Sequence, residues 1–364
     1  MMGTRCCVEV AMRTLFFAIL LTVLCCANTA QAAVELKQMY QARVPVASQA
    51  AADRDAALQE ALQRTFIRVS GDDSLLAHEE VRLALQNVRN FVQQYGYQQG
   101  DDELLLWVQF DQPQVDRTIQ SAGSGIWSNL RPELLFWLVL EDDRLQRSII
   151  GTGDIEPLVD QLREQAQIRG LPVKLPLLDL NDSMSLSVLD LWARFDDRID
   201  FASSRYDADG VVVARIYQSD RAVTDQAWTL DWTLKLADMR WRGEVSADER
   251  ANLGAKLIAD ISKQLSYRYR ISANAEAAGL WRVNIVNLPS VTDVLQAEQR
   301  LNSVPSVNRV QLVSYGEHQA LFELHIQTEA EQIMRALDIT KQFEPVNQQQ
   351  RDSFATPVYR WSQP

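Results

Sequence analysis

Two aspartates in the middle of the chain, Asp179 and Asp182, have the type and spacing for acid-base or metal chemistry. A pair of carboxylates can bind a divalent cation, or the two can share the roles of general acid and general base. Acidic residues also cap helices, and Asn181-Asp182-Ser183 is typical of a turn that leads into a helix. We favour the capping role and keep a divalent-metal site at Asp179 and Asp182 as the alternative.

The other groups that could support catalysis lack the sequence context that such chemistry needs. The three histidines, His78, His318 and His325, do not have a spacing that brings them to one metal ion. Gly151-Thr152-Gly153 precedes a predicted helix, but no P-loop lysine follows it. Ser203, like the serine after it, lacks a Gly-x-Ser-x-Gly elbow. We therefore predict no catalytic residue, no bound metal and no cofactor, and we do not expect an enzyme.

Three tryptophans form the most distinctive aromatic group. Trp228 and Trp232 lie on one face of a predicted strand that also carries leucines, and Trp241 lies on the neighbouring predicted strand. If this face is exposed, its indole rings can stack on sugars and bind a glycan. Because the tryptophans are interleaved with leucines, we favour burial in a core. Burial beneath the helix predicted over residues 247–267 would exclude the glycan site.

All the cysteines of the chain lie near its N-terminus, at Cys6, Cys7, Cys25 and Cys26. The segment 1–32 combines basic residues, an apolar run from Leu15 to Leu24 and the small-x-small sequence Ala30-Gln31-Ala32. This pattern is typical of a cleaved export signal. We predict cleavage after Ala32, which leaves a mature chain without cysteine and excludes disulfides, thiolate metal sites and cysteine nucleophiles.

The predicted destination of the mature chain is the periplasm. The apolar run in the signal is about half the ~20 residues that span a bilayer, and we expect no stable membrane insertion after cleavage. Removal of residues 1–32 takes away two basic side chains and one acidic one, which leaves 34 basic against 47 acidic and a net charge of −13. This charge argues against nucleic acid as a partner. The sequence leaves open whether translation starts at Met1 or Met12.

The predicted helices and strands fall into three units. Residues 33–121 have the order β-α-α-β-β-α, and small, flexible residues follow them. Residues 126–272 begin with a continuous apolar strand and continue as a mixed-sheet α/β domain. Residues 279–345 have the order β-α-β-β-α, and the polar segment 346–364 is predicted to be a disordered tail. The expected fold class is α/β and α+β, a central mixed-sheet α/β domain flanked by two small β-α-β-β-α units.

Four stretches of this sequence resemble DUF2066, an uncharacterised family of exported bacterial proteins. They are Arg64-Thr65-Phe66-Ile67-Arg68-Val69-Ser70-Gly71, Arg131-Pro132-Glu133-Leu134-Leu135-Phe136-Trp137-Leu138, Arg169-Gly170-Leu171-Pro172 through Pro176-Leu177-Leu178-Asp179-Leu180-Asn181-Asp182, and Ala202-Ser203-Ser204-Arg205-Tyr206-Asp207-Ala208-Asp209. The resemblance extends over residues 36–346. It implies export and supplies no activity, because that family has no catalytic residues to carry over.

These observations predict a soluble periplasmic accessory or scaffold protein that binds another cell-envelope protein. Two binding modes fit the sequence: pairing along the edge strands of the end units, and docking of the aromatic tail into a partner. A glycan- or peptidoglycan-binding module at Trp228, Trp232 and Trp241 is the alternative. A divalent-metal-dependent hydrolase at Asp179 and Asp182 is a further one. The sequence does not name the partner, the envelope process or the oligomeric state.

Overall fold

A computed structural model of the chain describes residues 39–100, 103–220, 222–339, 341–346 and 356–362. The predicted export signal, with all its cysteines, lies outside the described residues. No helix within the described ranges is long and apolar enough to cross a membrane. The described part mixes helices with open mixed sheets, which confirms the predicted α/β and α+β class.

The N-terminal part is a three-stranded antiparallel sheet with helices. Its strands, in the order β1-β3-β2, are β1 (Gln41–Pro45), β2 (Val92–Gln99) and β3 (Leu104–Phe110). Its helices are α1 (Ala51–Ser70), α2 (Glu79–Gln86) and α3 (Gln112–Ser121). Leu58, Leu62 and Phe66 recur at helical spacing and bury one face of α1. The helix ends at Gly71, where φ is 76° and a side chain would collide with Trp127.

The central part is a six-stranded mixed sheet. Its strands are β5 (Leu134–Glu141), β6 (Arg147–Ile150), β7 (Val173–Lys174), β8 (Gly210–Gln218), β9 (Trp228–Leu236) and β10 (Met239–Ala247). The order is β10-β9-β8-β5-β6, with β7 beside β5. Strand β5 runs parallel to β7 and β8, and the other pairs are antiparallel. This is the mixed sheet that the sequence predicts. The apolar stretch from Pro172 to Leu180 also predicts a strand, but the strand there, β7, has two residues.

The two faces of this sheet have separate cores because side chains alternate along a strand. The even-numbered residues of β5 from Leu134 to Leu138 pack with α4 (Pro157–Arg169) and α8 (Asn252–Tyr269). The odd-numbered residues from Leu135 to Val139 pack with α6 (Val188–Ala193) and α7 (Asp196–Ser203). A third short helix, α5 (Leu180–Ser185), contacts α7.

The C-terminal part is a five-stranded sheet in the order β13-β14-β12-β16-β15. The strands are β12 (Gly279–Val286), β13 (Val307–Gly316), β14 (Gln319–Ile326), β15 (Phe343–Pro345) and β16 (Val358–Trp361). The helices are α9 (Val291–Asn302) and α10 (Ala330–Leu337). Buried residues of this part, such as Phe322 and Leu337, belong to the same continuous core as α4 and α8. The division into three domains stays a prediction.

The structure differs from the predicted disordered tail. Residues 356–362 are ordered, and β16 runs parallel to β12 between β12 and β15. Trp361 is 1% exposed, and Tyr359 is buried in the same core. The alternation of Tyr359 and Trp361 gives the strand an apolar face, which is why it adds to the sheet. These two aromatic side chains are therefore not available to dock into a partner; residues 347–355 lie outside the described residues.

Two of the contacts that connect the N-terminal part to the rest of the chain involve a short strand and the side chain of Arg131. Strand β4 (Ile126–Trp127) follows the predicted flexible stretch and pairs with β11 (Arg270–Ile271), directly after α8. The buried Arg131 guanidinium lies 3.4 Å from the centre of the Trp127 ring and donates to the carbonyl oxygens of Arg68 at 2.7 Å and Arg169 at 3.4 Å. These carbonyls end α1 and α4, where helix dipoles are negative. Burial lowers the pKa of Arg131, and the two helix ends favour its charged form.

Candidate functional site

Asp179 and Asp182 lie at the start of α5, in the helical layer on one face of the central sheet. The Asp179 carboxylate accepts a hydrogen bond from the backbone nitrogen of Asp182 at 3.0 Å, so Asp179 is the N-cap of α5. This is the capping role that the sequence favours. Asp182 is 2% exposed. A carboxylate buried to that extent requires hydrogen-bond partners for its oxygens.

Arg205 and Tyr206 supply these partners from the turn that precedes β8. Arg205 Nη1 lies 2.7 Å from Asp179 Oδ1 and 2.9 Å from Asp182 Oδ1, and Arg205 Nη2 lies 2.8 Å from Asp179 Oδ2. The Tyr206 hydroxyl donates to Asp182 Oδ2, which also accepts from the backbone nitrogen of Leu178 at 2.9 Å. Each carboxylate oxygen thus has a donor. We call Asp179, Asp182, Arg205 and Tyr206 the acidic-loop lock.

The pKa shifts in the lock follow from these contacts. Hydrogen bonds from the Arg205 side chain hold the pKa of Asp179 well below its usual value. The same contact raises the pKa of Arg205. Burial, followed by the hydrogen bond to Asp182, raises the pKa of Tyr206 to about 12. At neutral pH, Asp179 is therefore charged and the Tyr206 hydroxyl keeps its proton, as the hydrogen-bond directions require.

This arrangement leaves the two carboxylates poorly suited to metal binding or proton transfer. Arg205 bridges both, in the position that a cation would take between them. Within the described ranges, no group of three or more His, Cys, Asp or Glu side chains could hold a metal ion. The geometry gives Asp179 and Asp182 a structural role and does not support the metal-hydrolase alternative.

The lock fixes a loop whose backbone is strained and whose apolar side chains face solvent. Leu178 has a φ of 53°, a left-handed conformation that leucine rarely adopts. The Leu178 side chain packs over Gly151, where a Cβ would lie 2.6 Å from it. The Tyr206 hydroxyl accepts from the backbone nitrogen of Leu177 at 2.9 Å. On either side of Leu178, the side chains of Leu177 and Leu180 are exposed.

Exposed apolar side chains continue along all three helices of this layer. Leu180 is 74% exposed and Met184 is 77% exposed. We call the whole set the α5–α7 apolar surface; its members are Leu177, Leu180, Met184, Leu189, Phe195 and Phe201. The smaller core beneath the layer contains Leu186, Leu191, Ile199 and Ala202. The layer therefore has more large apolar side chains than it buries.

Sequence reasoning missed this surface. The spacing of Leu186, Leu189 and Trp192 predicts a helix, but Leu186 precedes α6 and Leu189 is exposed. Helices α5 and α6 have six residues each. A helix of that length buries one or two side chains, so the apolar residues in excess of that number remain outside. That excess is the signal that could have revealed the surface.

The tryptophan face lies against α8. Trp232 is buried, and its Nε1 donates to Asp260 Oδ2 on α8 at 3.0 Å. Trp241 is half-buried beside Tyr269, with ring centres 6.4 Å apart, and Trp228 is half-buried against the same core. The face that would stack on a sugar is thus occupied by a helix. The geometry favours the core role and does not support the glycan site.

The remaining candidate groups serve local structure. Asp154 Oδ2 accepts from the backbone nitrogen of Gly151 at 2.8 Å, which closes the turn at Gly151-Thr152-Gly153. Ser203 Oγ accepts from Trp137 Nε1 at 2.9 Å inside the core. Neither contact provides a phosphate cradle or an activated nucleophile.

Comparison with protein families gives one match. The model of a domain of unknown function (DUF8605) matches residues 33–128, so this part of the chain is similar to that family. The family is not DUF2066, and the comparison supports an uncharacterised domain without supporting the family that the sequence resembles. The matched span ends just after β4, seven residues beyond the predicted boundary at residue 121. None of the curated proteins compared with the chain matches it.

Proposed function

We propose that this protein is a non-catalytic accessory or scaffold protein of the periplasm that binds another cell-envelope protein. The observation that carries the proposal is the α5–α7 apolar surface. Leu180, Met184 and Phe201 each leave more than two thirds of their area in water. Single exposed apolar side chains are normal on a protein surface, but a set concentrated in one layer marks an interaction site.

Charged hydrogen bonds and a helix cap hold the base of this surface, which favours binding without a large ordering penalty. The acidic-loop lock ties α5 to the turn before β8 through charged hydrogen bonds. Helix α6 has a capping box between Ser187 and Asp190. Side chains held on such a base lose less freedom on binding than side chains on a loose loop.

The periplasmic localisation in this proposal is inferred from the sequence. Residues 1–32 have the pattern of a cleaved signal. The exported chain would begin at Ala33, and N-terminal mass spectrometry of the protein purified from a periplasmic extract tests this directly. A mature chain that still contained Cys6, Cys7, Cys25 and Cys26 would contradict the predicted signal cleavage.

Site-specific photo-crosslinking tests the binding surface. A photoreactive residue at position 184 is expected to crosslink one defined envelope protein in living cells. The same residue at position 267 is the matched control, because Tyr267 is 74% exposed, close to the 77% of Met184, but lies on α8. The triple variant Leu180→Ser, Met184→Ser, Phe201→Ser is expected to remove the partner in a pull-down.

Two results would contradict the proposal. One is an identical crosslinking pattern from positions 184 and 267. The other is a folded triple variant that retains every partner. Sedimentation of the protein with peptidoglycan, unchanged in a Trp241→Ala variant, would instead indicate a glycan contact away from the tryptophan face.

A further inference from the structure

The edge strands of the described sheets differ in how they are protected against pairing with another chain. Native edge strands usually carry charges, prolines or bulges that prevent such pairing. Every edge strand of three or more residues in the described part follows this rule except β2. The protected edges are β1 with Arg43 and Pro45, β6 with Arg147, β10 with Arg240, Arg242 and Glu244, β13 with Arg309 and two register shifts, and β15 with Glu344 and Pro345.

Strand β2 has eight residues, Val-Gln-Gln-Tyr-Gly-Tyr-Gln-Gln, with neither a charge nor a proline. One register shift lies at its start, between Val92 and Gln94, and the pairing with β3 is regular from there to Gln99. Its other edge pairs with no strand in the described part of the chain. The strand therefore offers a regular, uncharged edge of unpaired backbone groups.

The hydrogen-bond pattern identifies which backbone groups face outward. The backbone nitrogen of Gly100 donates to Glu103 O at 2.8 Å and closes the β2–β3 hairpin. In an antiparallel pair, hydrogen-bonded positions alternate with open ones. Because Gly100 is bonded, Gln94, Gly96 and Gln98 face β3, and the residues between them face the open edge. The outward residues are Tyr95, Tyr97 and Gln99.

The pairing on the far side of β3 agrees with this assignment. Val46 N donates to Leu104 O at 2.9 Å, and Phe110 N donates to Tyr40 O at 2.9 Å. The even-numbered residues of β3 thus bond toward β1, which leaves its odd-numbered residues for β2. The amide and carbonyl groups of Tyr95, Tyr97 and Gln99 accordingly form a ready row of donors and acceptors.

Side chains around this edge leave room for an added strand. A Cβ on Gly96 would have nothing within 4 Å, so the edge is open at Gly96 on the face of the sheet that carries Trp107, its partner on β3. On the other face, Tyr95 is 46% exposed and packs edge-to-face with Tyr97, with ring centres 6.3 Å apart. An added strand could place a large side chain at Gly96 and cover the tyrosine pair.

We propose that β2 takes up an extended, uncharged or basic segment of a partner polypeptide as a fourth strand of the N-terminal sheet. Main-chain hydrogen bonds provide affinity in this mode, and the gap at Gly96 provides selectivity. This inference rests on the proposed function, since it supplies a second contact for the same partner.

A second copy of this chain fits the edge less well than a partner segment. An edge of eight residues is about 26 Å long, and a contact restricted to it is small against the roughly 1,200 Å² that a stable dimer buries. Two mature chains of net charge −13 also repel each other. A flexible segment without acidic residues does not meet this repulsion, and the α5–α7 apolar surface supplies further contact area for the same partner.

Hydrogen exchange with a strand-forming probe tests the proposal. The probe is a ten-residue peptide of alternating threonine and valine with a lysine at each end. The amides of Tyr95, Tyr97 and Gln99 are expected to exchange fast in the free protein and at least about tenfold more slowly with saturating peptide. The amides of Gln94, Gly96 and Gln98 are expected to exchange slowly in both states, which gives an internal control.

Blocked versions of both partners complete the test. The same peptide with four consecutive central N-methyl groups has no free donors there, and its Kd is expected to be at least about tenfold weaker. Gln99→Pro removes an outward N–H of the protein, and Gln99→Ala is the matched control that keeps it. We expect weaker binding for the proline variant alone.

Three outcomes would overturn the inference: equal binding of the methylated peptide, binding without slower exchange at the three outward amides, or no binding at about 1 mM peptide. If Gln99→Pro fails to fold, the methylated peptide and the exchange pattern still decide. The photo-crosslinks from position 184 do not involve β2. If position 184 gives no specific crosslink, the proposed function is contradicted. If it crosslinks the partner but β2 does not bind the peptide, only this inference is contradicted.

Discussion

The two faces of the central sheet are covered in different ways. Helices α4 and α8, of 13 and 18 residues, cover one face and contribute to a large core that continues into the C-terminal sheet. Helices α6 and α7, of six and eight residues, cover the other face over a small core, and the six-residue α5 contacts α7. One side of the sheet is therefore covered by long helices, and on the other side the short helices expose large apolar side chains to water.

This difference shows that helix length decides what holds a helix in place. Long helices present a continuous apolar stripe and owe their stability to packing. Short helices present no such stripe, so side-chain hydrogen bonds at their ends stabilise them: Asp179 caps α5, and Ser187 and Asp190 cap α6. Because these helices bury few side chains, large apolar residues stay exposed on this face and form the α5–α7 apolar surface.

The largest expected effect on stability is at the closest contact between α4 and α8, the two helices on one face of the central sheet. Helix α8 crosses α4 at Gly254, where a Cβ would lie 2.1 Å from Leu158 O. Gly254→Val forces the two helices apart and is expected to lower the free energy of unfolding by about 3 kcal/mol or more. Urea denaturation followed by circular dichroism measures it. The control is Gly153→Ala, because a Cβ there meets nothing within 4 Å; equal stability of the two variants would refute the tight crossing.

A smaller loss of stability is expected when the acidic-loop lock, on the side of the sheet with α5, α6 and α7, is broken. Asp182→Ala leaves the Tyr206 hydroxyl and the Leu178 amide without their acceptor and is expected to cost about 2 kcal/mol. We also expect faster hydrogen exchange in α5 than in α8, since the lock holds α5 alone. Exchange that accelerates equally in both helices would show that the two faces are not independent.

The acidic-loop lock also makes the stability of the protein depend on pH at low pH. The folded-state pKa of Asp179 lies below its ordinary value of 3.8, so its contribution to stability is present above that pH and is lost as the pH falls through the lowered pKa. We expect Asp179→Asn to be less stable than the wild type at pH 7, with a difference in stability that narrows as the pH falls below 3.8. A gap that stays constant across this range would exclude Asp179 as the source.

The smallest effect on stability is expected at the exposed side chains themselves. Leu180→Ser and Phe201→Ser remove apolar area that faces water, and each is expected to change the free energy of unfolding by less than about 0.5 kcal/mol. Binding to the partner should nevertheless fall. Leu191→Ser, which places a hydroxyl in the core beneath, serves as the contrast and should unfold more easily. Equal losses for Leu180→Ser and Leu191→Ser would mean that the surface is part of the core.

Periodicity predicted the elements whose burial is regular. The spacing of Leu58, Leu62 and Phe66 indicates α1, and the continuous apolar run of β5 indicates a strand buried on both faces. The capping role predicted from the sequence is confirmed for Asp179, but its partner Arg205 is 26 residues away. A contact at that separation depends on how the loop after α7 folds back, which no local pattern encodes. The strand at Trp361 was missed for the same reason, because its pairing partner β12 is far away in sequence.

The sequence by itself determined the periods of the regularly buried elements and the cap at Asp179, together with the signal-like N-terminus and the acidic charge. These depend on neighbours a few residues apart. Only the tertiary structure decided which apolar side chains remain in water and which sheet edge remains unpaired, because both depend on what the rest of the chain covers. The tryptophans of β9 and the leucine and methionine of α5 are all large and apolar, and α8 lies over the former while nothing in the described chain lies over the latter.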